Sequence, residues 1–414
     1  MKIKDIYNKF MGDPLYRNSI YLMVSTGVMS VFGFVFWMIN ARLFTAEEVG
    51  LATTIISVMS LITTFSLLGL GTGLIRYLSK SERKNDKINT CFTLVGVVSI
   101  IVSAVFILGI SQFSPRLLFI KESVILSGIF IISMVISSFS SLIENLFISY
   151  RSTKYTLLKQ TIFSVLKIGL PFGLVGLGVW GIFGSWMIGL FASVLVSFFV
   201  LMKKFSYKPK LIFHDSIIRK IGKYSFLNYV SGFIGGLPTL ILPLMITNSI
   251  HPEMTAYYYM AMMIANVLFI IPSATSNSLF AEGSHDEKSL KLQIKKSAKI
   301  ISLLIIPAII ITIFFGKYIL LLLGKDYSAE GYMLLNYFAL SCVFMSINSI
   351  FGSIFRVKHK LKQILVLSII SAITILGLSL LWMGDGLTGI GLAWLIGQGI
   401  VTLSYFVLWI FGKK

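Results

Sequence analysis

Twelve apolar runs recur along this chain of 414 residues, each close to the roughly 20 residues that cross about 30 Å of bilayer hydrocarbon as a helix. They lie at 19–41, 51–75, 90–111, 123–147, 157–178, 182–202, 224–247, 256–280, 299–316, 331–355, 363–383 and 388–411. Hydrocarbon offers no partner to a free backbone N–H or C=O, so a run of this kind must close its own hydrogen bonds as an α-helix. Composition leaves little for anything else: 56% of residues are hydrophobic, 13% are charged, and the mean hydropathy is +0.88, values foreign to a soluble domain. The expected fold class is an all-α integral membrane protein with twelve transmembrane helices. The first run is too long for a signal-peptide core and no small-residue cleavage pattern follows it, so it is read as retained.

The twelve runs fall into two similar sets of six. GVWGIFGSWMIG at 178–189 returns as GLTGIGLAWLIG at 386–397, a displacement of 208 with six of twelve positions identical. The stretch from Arg17 through FWMINARLFTAEE lies over that from Lys223 through LPLMITNSIHPEM at a displacement of 206. An internal duplication of membrane helices is a common transporter plan. An even number of spans per repeat returns the chain to the side it started from, so the halves form two pseudo-symmetric, parallel six-helix bundles. The expected division is 1–204 for the N-terminal bundle, 205–223 for a basic cytoplasmic linker and 224–414 for the C-terminal bundle.

The formal net charge of +20 resembles that of a nucleic-acid binder, but its distribution follows membrane topology. With the N-terminus inside, thirty of the 36 Lys and Arg fall in cytoplasmic segments, 151–159 among them, and only Arg42, Arg116, Lys121, Lys317 and Lys325 fall outside. The positive-inside rule then places both termini in the cytoplasm. The partners expected from this asymmetry are membrane lipids, with anionic head groups favoured, and no nucleic acid. Within the linker, Leu211, Ile212, Phe213, Ile217, Ile218 and Ile221 lie among basic residues, a composition that suits a short surface helix or a plain solvated tether.

No catalytic constellation is present. His214, His251, His285 and His359 fall in expected loops, and none has a second histidine or a cysteine at metal-ligand spacing. No GxxxxGK[ST] motif occurs, so P-loop nucleotide hydrolysis is excluded. Cys91 and Cys342 form no CxxC pair and are read as packing residues. The chain is therefore expected to be no enzyme, with no cofactor and no metal.

What remains is polar chemistry at membrane depth. Lys167 lies about eleven residues from either end of the fifth run, where an ammonium costs on the order of 2.5–3.5 kcal/mol to insert and must face a cavity or a partner. It is read either as a holder of an anionic substrate or as half of a structural contact. Arg76, Arg151 and Arg356 stand at cytoplasmic helix ends, with Arg151 and Arg356 read as matching places in the duplication. Each either complements a helix dipole and snorkels or catches a phosphate in bidentate fashion. Glu144 is read as half of a salt bridge or as a protonatable coupling site. Asn228, Asn266 and Asn277 either bond between helices or bind sugar hydroxyls. Gly235, Gly236, Pro238 and Pro272 interrupt the seventh and eighth runs and mark a hinge or a static kink.

The stretches NSIYLMVSTGVMSVFGFVFWMINARLFTAEEVGLATTIISVMSL (18–61) and GLGTGLIRYL (69–78), with both GxxGIxxxWxIG copies, resemble the polysaccharide transporter (oligosaccharide flippase) family. That family belongs to the multidrug/oligosaccharidyl-lipid/polysaccharide exporter superfamily. The resemblance implies export of a polyprenyl-(pyro)phosphate-linked oligosaccharide from the inner to the outer leaflet of the cell membrane by alternating access. Its implied partners are the lipid-linked oligosaccharide itself and the polymerase or glycosyltransferases of glycan assembly. The alternatives are an ion-coupled multidrug exporter of the same superfamily and a non-transporting scaffold. Multidrug relatives carry a carboxylate deep in the first helix, and span 1 here has no acid. The first half also carries cations the second does not repeat: Lys167 displaced by 208 falls on Ile375, and Arg76 displaced by 206 falls on Glu282.

Overall fold

The computed structural model describes residues 14–78, 81–285 and 290–411, with side chains described throughout except at 14–16, 215–226, 281 and 285. Lys2, Lys4, Lys9, Lys80, Lys288, Lys413 and Lys414, and the side chains of Ile217, Ile218 and Ile221, lie outside the described residues.

The chain is all-α, with no strand among the described residues. Its helices are α1 (Pro14–Leu43), α2 (Ala46–Ser66), α3 (Leu70–Tyr77), α4 (Lys84–Leu108), α5 (Val124–Ser149), α6 (Lys154–Leu174), α7 (Val179–Phe205), α8 (Asp215–Ser249), α9 (Pro252–His285), α10 (Leu290–Leu321), α11 (Lys325–Val357), α12 (Leu361–Leu381) and α13 (Gly386–Phe411). Among the described residues, twelve spans are long and apolar enough to cross a membrane, one on each of these helices except the eight-residue α3.

The second apolar run, expected as one helix over 51–75, is broken. Leu68 and Gly69 take positive φ values of 48° and 74°, which ends α2 and starts α3. Hydropathy is blind to this break because the intervening LLGLG is still apolar; its glycine supplies the left-handed backbone at little steric expense.

The duplication is written into the backbone. α1 ends at Leu43 and α8 at Ser249, and α2 begins at Ala46 and α9 at Pro252, each pair displaced by 206. α5 ends at Ser149 and α11 at Val357, displaced by 208. The repeated GxxG motif has a mechanical reason. Gly178 and Gly386 start α7 and α13 with φ of 53° and 64°. Three residues on, a Cβ at Gly181 would stand 2.2 Å from the Leu174 carbonyl oxygen, and one at Gly389 would stand 1.9 Å from that of Trp382. The reversal is so tight that each helix starts against the backbone it has just left. The motif's last glycines, Gly189 and Gly397, face the backbone nitrogens of Lys167 and Ile375 respectively, each 3.4 Å from an added Cβ. This places Lys167 and Ile375 at the same point of the two repeats.

The described residues form two compact units, one within 1–44 and 58–226 and the other within 45–57 and 227–414. In the first, Leu70, Leu74, Cys91, Phe92, Leu142, Leu146, Val194 and Leu201 join α3, α4, α5 and α7 into one buried cluster. In the second, Phe355, Leu367, Val401 and Tyr405 join α11, α12 and α13, and a buried hydroxyl chain links Thr54 to Thr247 (2.5 Å) and Thr247 to Thr255 (2.7 Å).

The linker differs from both readings of it. Residues 206–214 are not helical, and from Asp215 the helix is continuous with α8, so there is no separate surface helix. The first part is also no loose tether. Asn85 and Asn89, one turn apart on α4, hold it through Asn85 Nδ2 to Ser206 O (3.3 Å), Lys208 N to Asn85 Oδ1 (3.2 Å), Asn89 Nδ2 to Lys208 O (2.9 Å) and Lys210 N to Asn89 Oδ1 (3.1 Å). Tyr207 donates its hydroxyl to Asn89 Oδ1 at 2.7 Å, and burial pushes that phenol up to about 12.

Candidate functional site

α5 and α6 are antiparallel neighbours joined by a turn at 150–153. α5 closes with a Schellman pattern: Arg151 N–H donates to Ile148 O (2.9 Å) and Ser152 N–H to Phe147 O (2.9 Å), with Arg151 at φ 51°. The turn is fastened to α1, because Asn18 Oδ1 accepts from Thr153 N (3.1 Å) and Asn18 O from Thr153 Oγ1 (2.9 Å).

Residues equidistant from a hairpin's turn face each other, and here those residues are Glu144 and Lys159. Lys159 Nζ donates to Glu144 Oε1 at 2.6 Å and to Ser140 O at 3.1 Å. Gln160 Nε2 donates to the same Oε1 at 2.5 Å. Lys159 is 2% exposed and Glu144 34%, so the cation is sealed and the acid is open on one side. Oε2 has no protein donor among the described residues. Counting Lys159 with the cytoplasmic loop cations is thus corrected: it is a buried partner of Glu144.

Glu144 opens onto a cavity of about 410 Å³ within the first unit. Three helices line it, each with residues one turn apart and so on one face: α1 with Leu22, Ser25, Thr26, Met29 and Ser30, α5 with Glu144 and Ile148, and α6 with Thr156 and Gln160. Thr156 is 5% exposed and its hydroxyl has no hydrogen-bond partner among the described residues. The wall therefore combines one half-paired carboxylate, an amide, four hydroxyls and three aliphatic side chains.

Lys167 is not part of this wall. It lies two turns further along the same face of α6, about 10 Å deeper by helix rise, and is 1% exposed. Its Nζ stands 4.5 Å from the Phe163 ring centroid, 4.6 Å from that of Trp186 and 5.3 Å from that of Phe36. These rings pack edge-to-face on one another. An ammonium desolvated among aromatic faces gains cation–π attraction, and no acid accompanies it among the described residues. Of the two readings of Lys167, this structure contains the structural contact.

The other sequence candidates are dispersed. Arg76 is exposed on α3, its guanidinium 5.7 Å from the Tyr77 ring centroid. Arg356, in the last turn of α11, lies 5.6 Å from the Phe280 ring centroid. Arg151 and Arg356 do not match in the duplication: the counterpart of Arg151 is His359, at φ 54°, with the same pair of capping bonds, His359 N to Arg356 O (3.1 Å) and Lys360 N to Phe355 O (2.9 Å). Asn228, Asn266 and Asn277 are exposed on α8 and α9, the last two three turns apart on one face. Gly235, Gly236 and Pro238 lie inside α8 and Pro272 inside α9, and both helices stay continuous through them. Sequence reasoning missed Lys159, Gln160 and Thr156. The equidistance of 144 and 159 from the turn was the signal that would have found the pair.

Residues 15–280 match the family model described as polysaccharide biosynthesis protein. The chain belongs to that family. A second model, MatE, matches residues 238–383. No curated protein matches the chain in sequence. Among solved structures, this polysaccharide biosynthesis family member is similar to the lipid II flippase MurJ in an inward closed conformation, with a TM-score of 0.76, 15% identity, and coverage of 94% of this chain and 86% of that one. It is also similar to an inward-facing multidrug resistance MATE family transporter of the MOP superfamily (TM-score 0.71, 13% identity, 94% and 96% covered). A MOP superfamily transporter from Pyrococcus furiosus gives a TM-score of 0.64 at 14% identity, with 97% and 96% covered. The fold is the one these transporter structures share, and the chain is a multi-pass membrane protein.

Proposed function

We propose that this protein is a flippase that moves a polyprenyl-(pyro)phosphate-linked oligosaccharide from the inner to the outer leaflet of the cell membrane. Both termini are cytoplasmic, as the lysine and arginine distribution favours, and the glycan feeds cell-surface polysaccharide assembly. The observation that carries the reading is the polysaccharide biosynthesis match over 15–280 on a chain with the MOP transporter fold. The cavity of the first unit agrees with it, since hydroxyls, an amide and a carboxylate are what hydrogen-bond a sugar. Under this orientation Glu144, five residues from the end of α5, lies about 8 Å in from the cytoplasmic end, where a head group loads. Lys167 is not assigned to the cargo phosphate, because three rings surround its ammonium.

The MatE match over 238–383 favours a second reading, a multidrug exporter. An exporter of cationic amphiphiles needs unpaired negative charge in its cavity, whereas the charge of Glu144 is balanced by Lys159. The test is depletion in the native cell. Accumulation of an inward-facing lipid-linked glycan, reversed by the wild-type gene, is the expected result. Unchanged glycan topology together with acquired drug sensitivity would replace the flippase with the exporter.

A further inference from the structure

We infer that the cavity between α1, α5 and α6 is a subsite for one uncharged sugar ring, and that it rejects anionic sugars. The inference rests on the flippase reading and specifies which part of the cargo this unit meets.

Electrostatics decide the charge class. Within the cavity wall the only ionisable group is Glu144, and its charge is balanced by an ammonium that is 2% exposed and cannot turn to a ligand. An anion entering here would find no free cation and would face the open Oε2. A cationic ligand would find a carboxylate whose other oxygen already accepts two bonds, with no second acid beside it. A neutral polyol meets neither penalty. Its hydroxyl donates to Oε2, a charge-assisted bond that discriminates in favour of an O–H, and other hydroxyls exchange bonds with Ser25, Thr26 and Ser30. Thr156 keeps a buried hydroxyl with no partner among the described residues, a deficit that a ligand hydroxyl would relieve.

Shape agrees with charge. A pyranose has a polar rim and C–H faces, and Leu22, Met29 and Ile148 offer aliphatic contact beside the hydroxyls. The volume of about 410 Å³ falls in the range of small-molecule sites, roughly 300–1,000 Å³.

The test uses the full chain in lipid nanodiscs and saturation-transfer NMR, which reads millimolar binding. The probes are methyl glucoside and methyl N-acetylglucosaminide against methyl glucuronide and glucose 1-phosphate. The neutral glycosides are expected to give saturation transfer and the two anions none. Thr156→Val, which deletes a hydroxyl without a protein partner and so leaves the fold intact, is expected to weaken neutral binding about three- to tenfold, as one hydrogen bond does. Ser25→Ala is the second variant, expected to act in the same direction. Equal transfer to the anions, no transfer to either neutral glycoside, or neutral binding unchanged in both variants overturns the inference. Glycan accumulation on depletion is scored separately: if it occurs while neutral glycosides fail to bind, the subsite falls and the flippase stands. If it does not occur, the flippase reading fails whatever binds.

Discussion

The two members of the Glu144–Lys159 pair should respond very unequally to removal. Lys159 is 2% exposed and has two acceptors, Glu144 Oε1 and the Ser140 carbonyl. Glu144→Ala leaves its ammonium sealed with only the carbonyl and also strips the acceptor from Gln160, so the loss should reach the roughly 3–5 kcal/mol seen when a buried pair is broken. Lys159→Met fills the same space with an apolar chain. Glu144 then keeps Gln160 and, being 34% exposed, keeps water, so about 0.5–1.5 kcal/mol is expected. In Glu144→Ala/Lys159→Met no ammonium is left to strand, and the double variant should return close to Lys159→Met alone, a strong departure from additivity. The reporter is already present. Cys91 is 1% exposed in the cluster that contains Leu142 and Leu146 of α5, and Cys342, in the other unit, is 0% exposed. In a Cys342→Ala background, native-state thiol labelling reads opening of the unit that holds the pair. At about 1.4 kcal/mol per tenfold, Glu144→Ala should speed labelling some hundred- to several-thousand-fold, and Lys159→Met at most about tenfold. Equal acceleration by the two single variants, or an additive double, would refute the buried-cation argument.

Lys167→Ile, which copies Ile375 of the second repeat, should match or exceed wild-type stability by up to about 2 kcal/mol, because a well-packed apolar side chain replaces a buried charge; thermal unfolding in detergent checks it. Arg151→Gly and His359→Gly should each stabilise by about 1 kcal/mol by relieving a left-handed residue at a helix C-terminus, and a chemical-denaturation series that finds destabilisation would contradict the capping account. Gly181→Ala and Gly389→Ala should each cost more than about 2 kcal/mol, since the added carbon meets backbone rather than a movable side chain, with folded yield and thermal midpoint as the measure. Asn89→Ala removes bonds to Tyr207, Lys208 and Lys210; protease cleavage within 206–214 should rise at least tenfold over wild type.

Spans and repeat were legible because both rest on quantities a sequence states directly, the length of an apolar run and self-similarity. The break at Leu68 and Gly69 was not, since an average over twenty residues cannot register two backbone angles. Lys159 was misplaced for a related reason: it stands five residues into α6, close enough to a loop to be counted with it, and only the geometry of the hairpin gives it to Glu144. Lys167 stands out in the sequence by its depth, but its partners come from α1 and α7 as well as its own helix, and no local pattern links Phe36, Phe163 and Trp186. The Arg151–Arg356 match failed because it compared residue type, whereas the duplication conserves the left-handed backbone and lets the side chain change from arginine to histidine.

The start of α2 carries a record of ancestry. A Cβ on Gly50 would stand 1.7 Å from the Pro252 carbonyl oxygen, and Pro252, the first residue of α9, is the duplication counterpart of Ala46, the first of α2. Two equivalent helix starts therefore lie against each other. In a polypeptide holding a single copy of the repeat, that segment would have met its own twin, which is the self-complementary contact of a two-fold homodimer. Gene fusion would then have preserved the contact while releasing the two copies to diverge, and a lysine at 167 where the second copy has isoleucine at 375 is one product of that release.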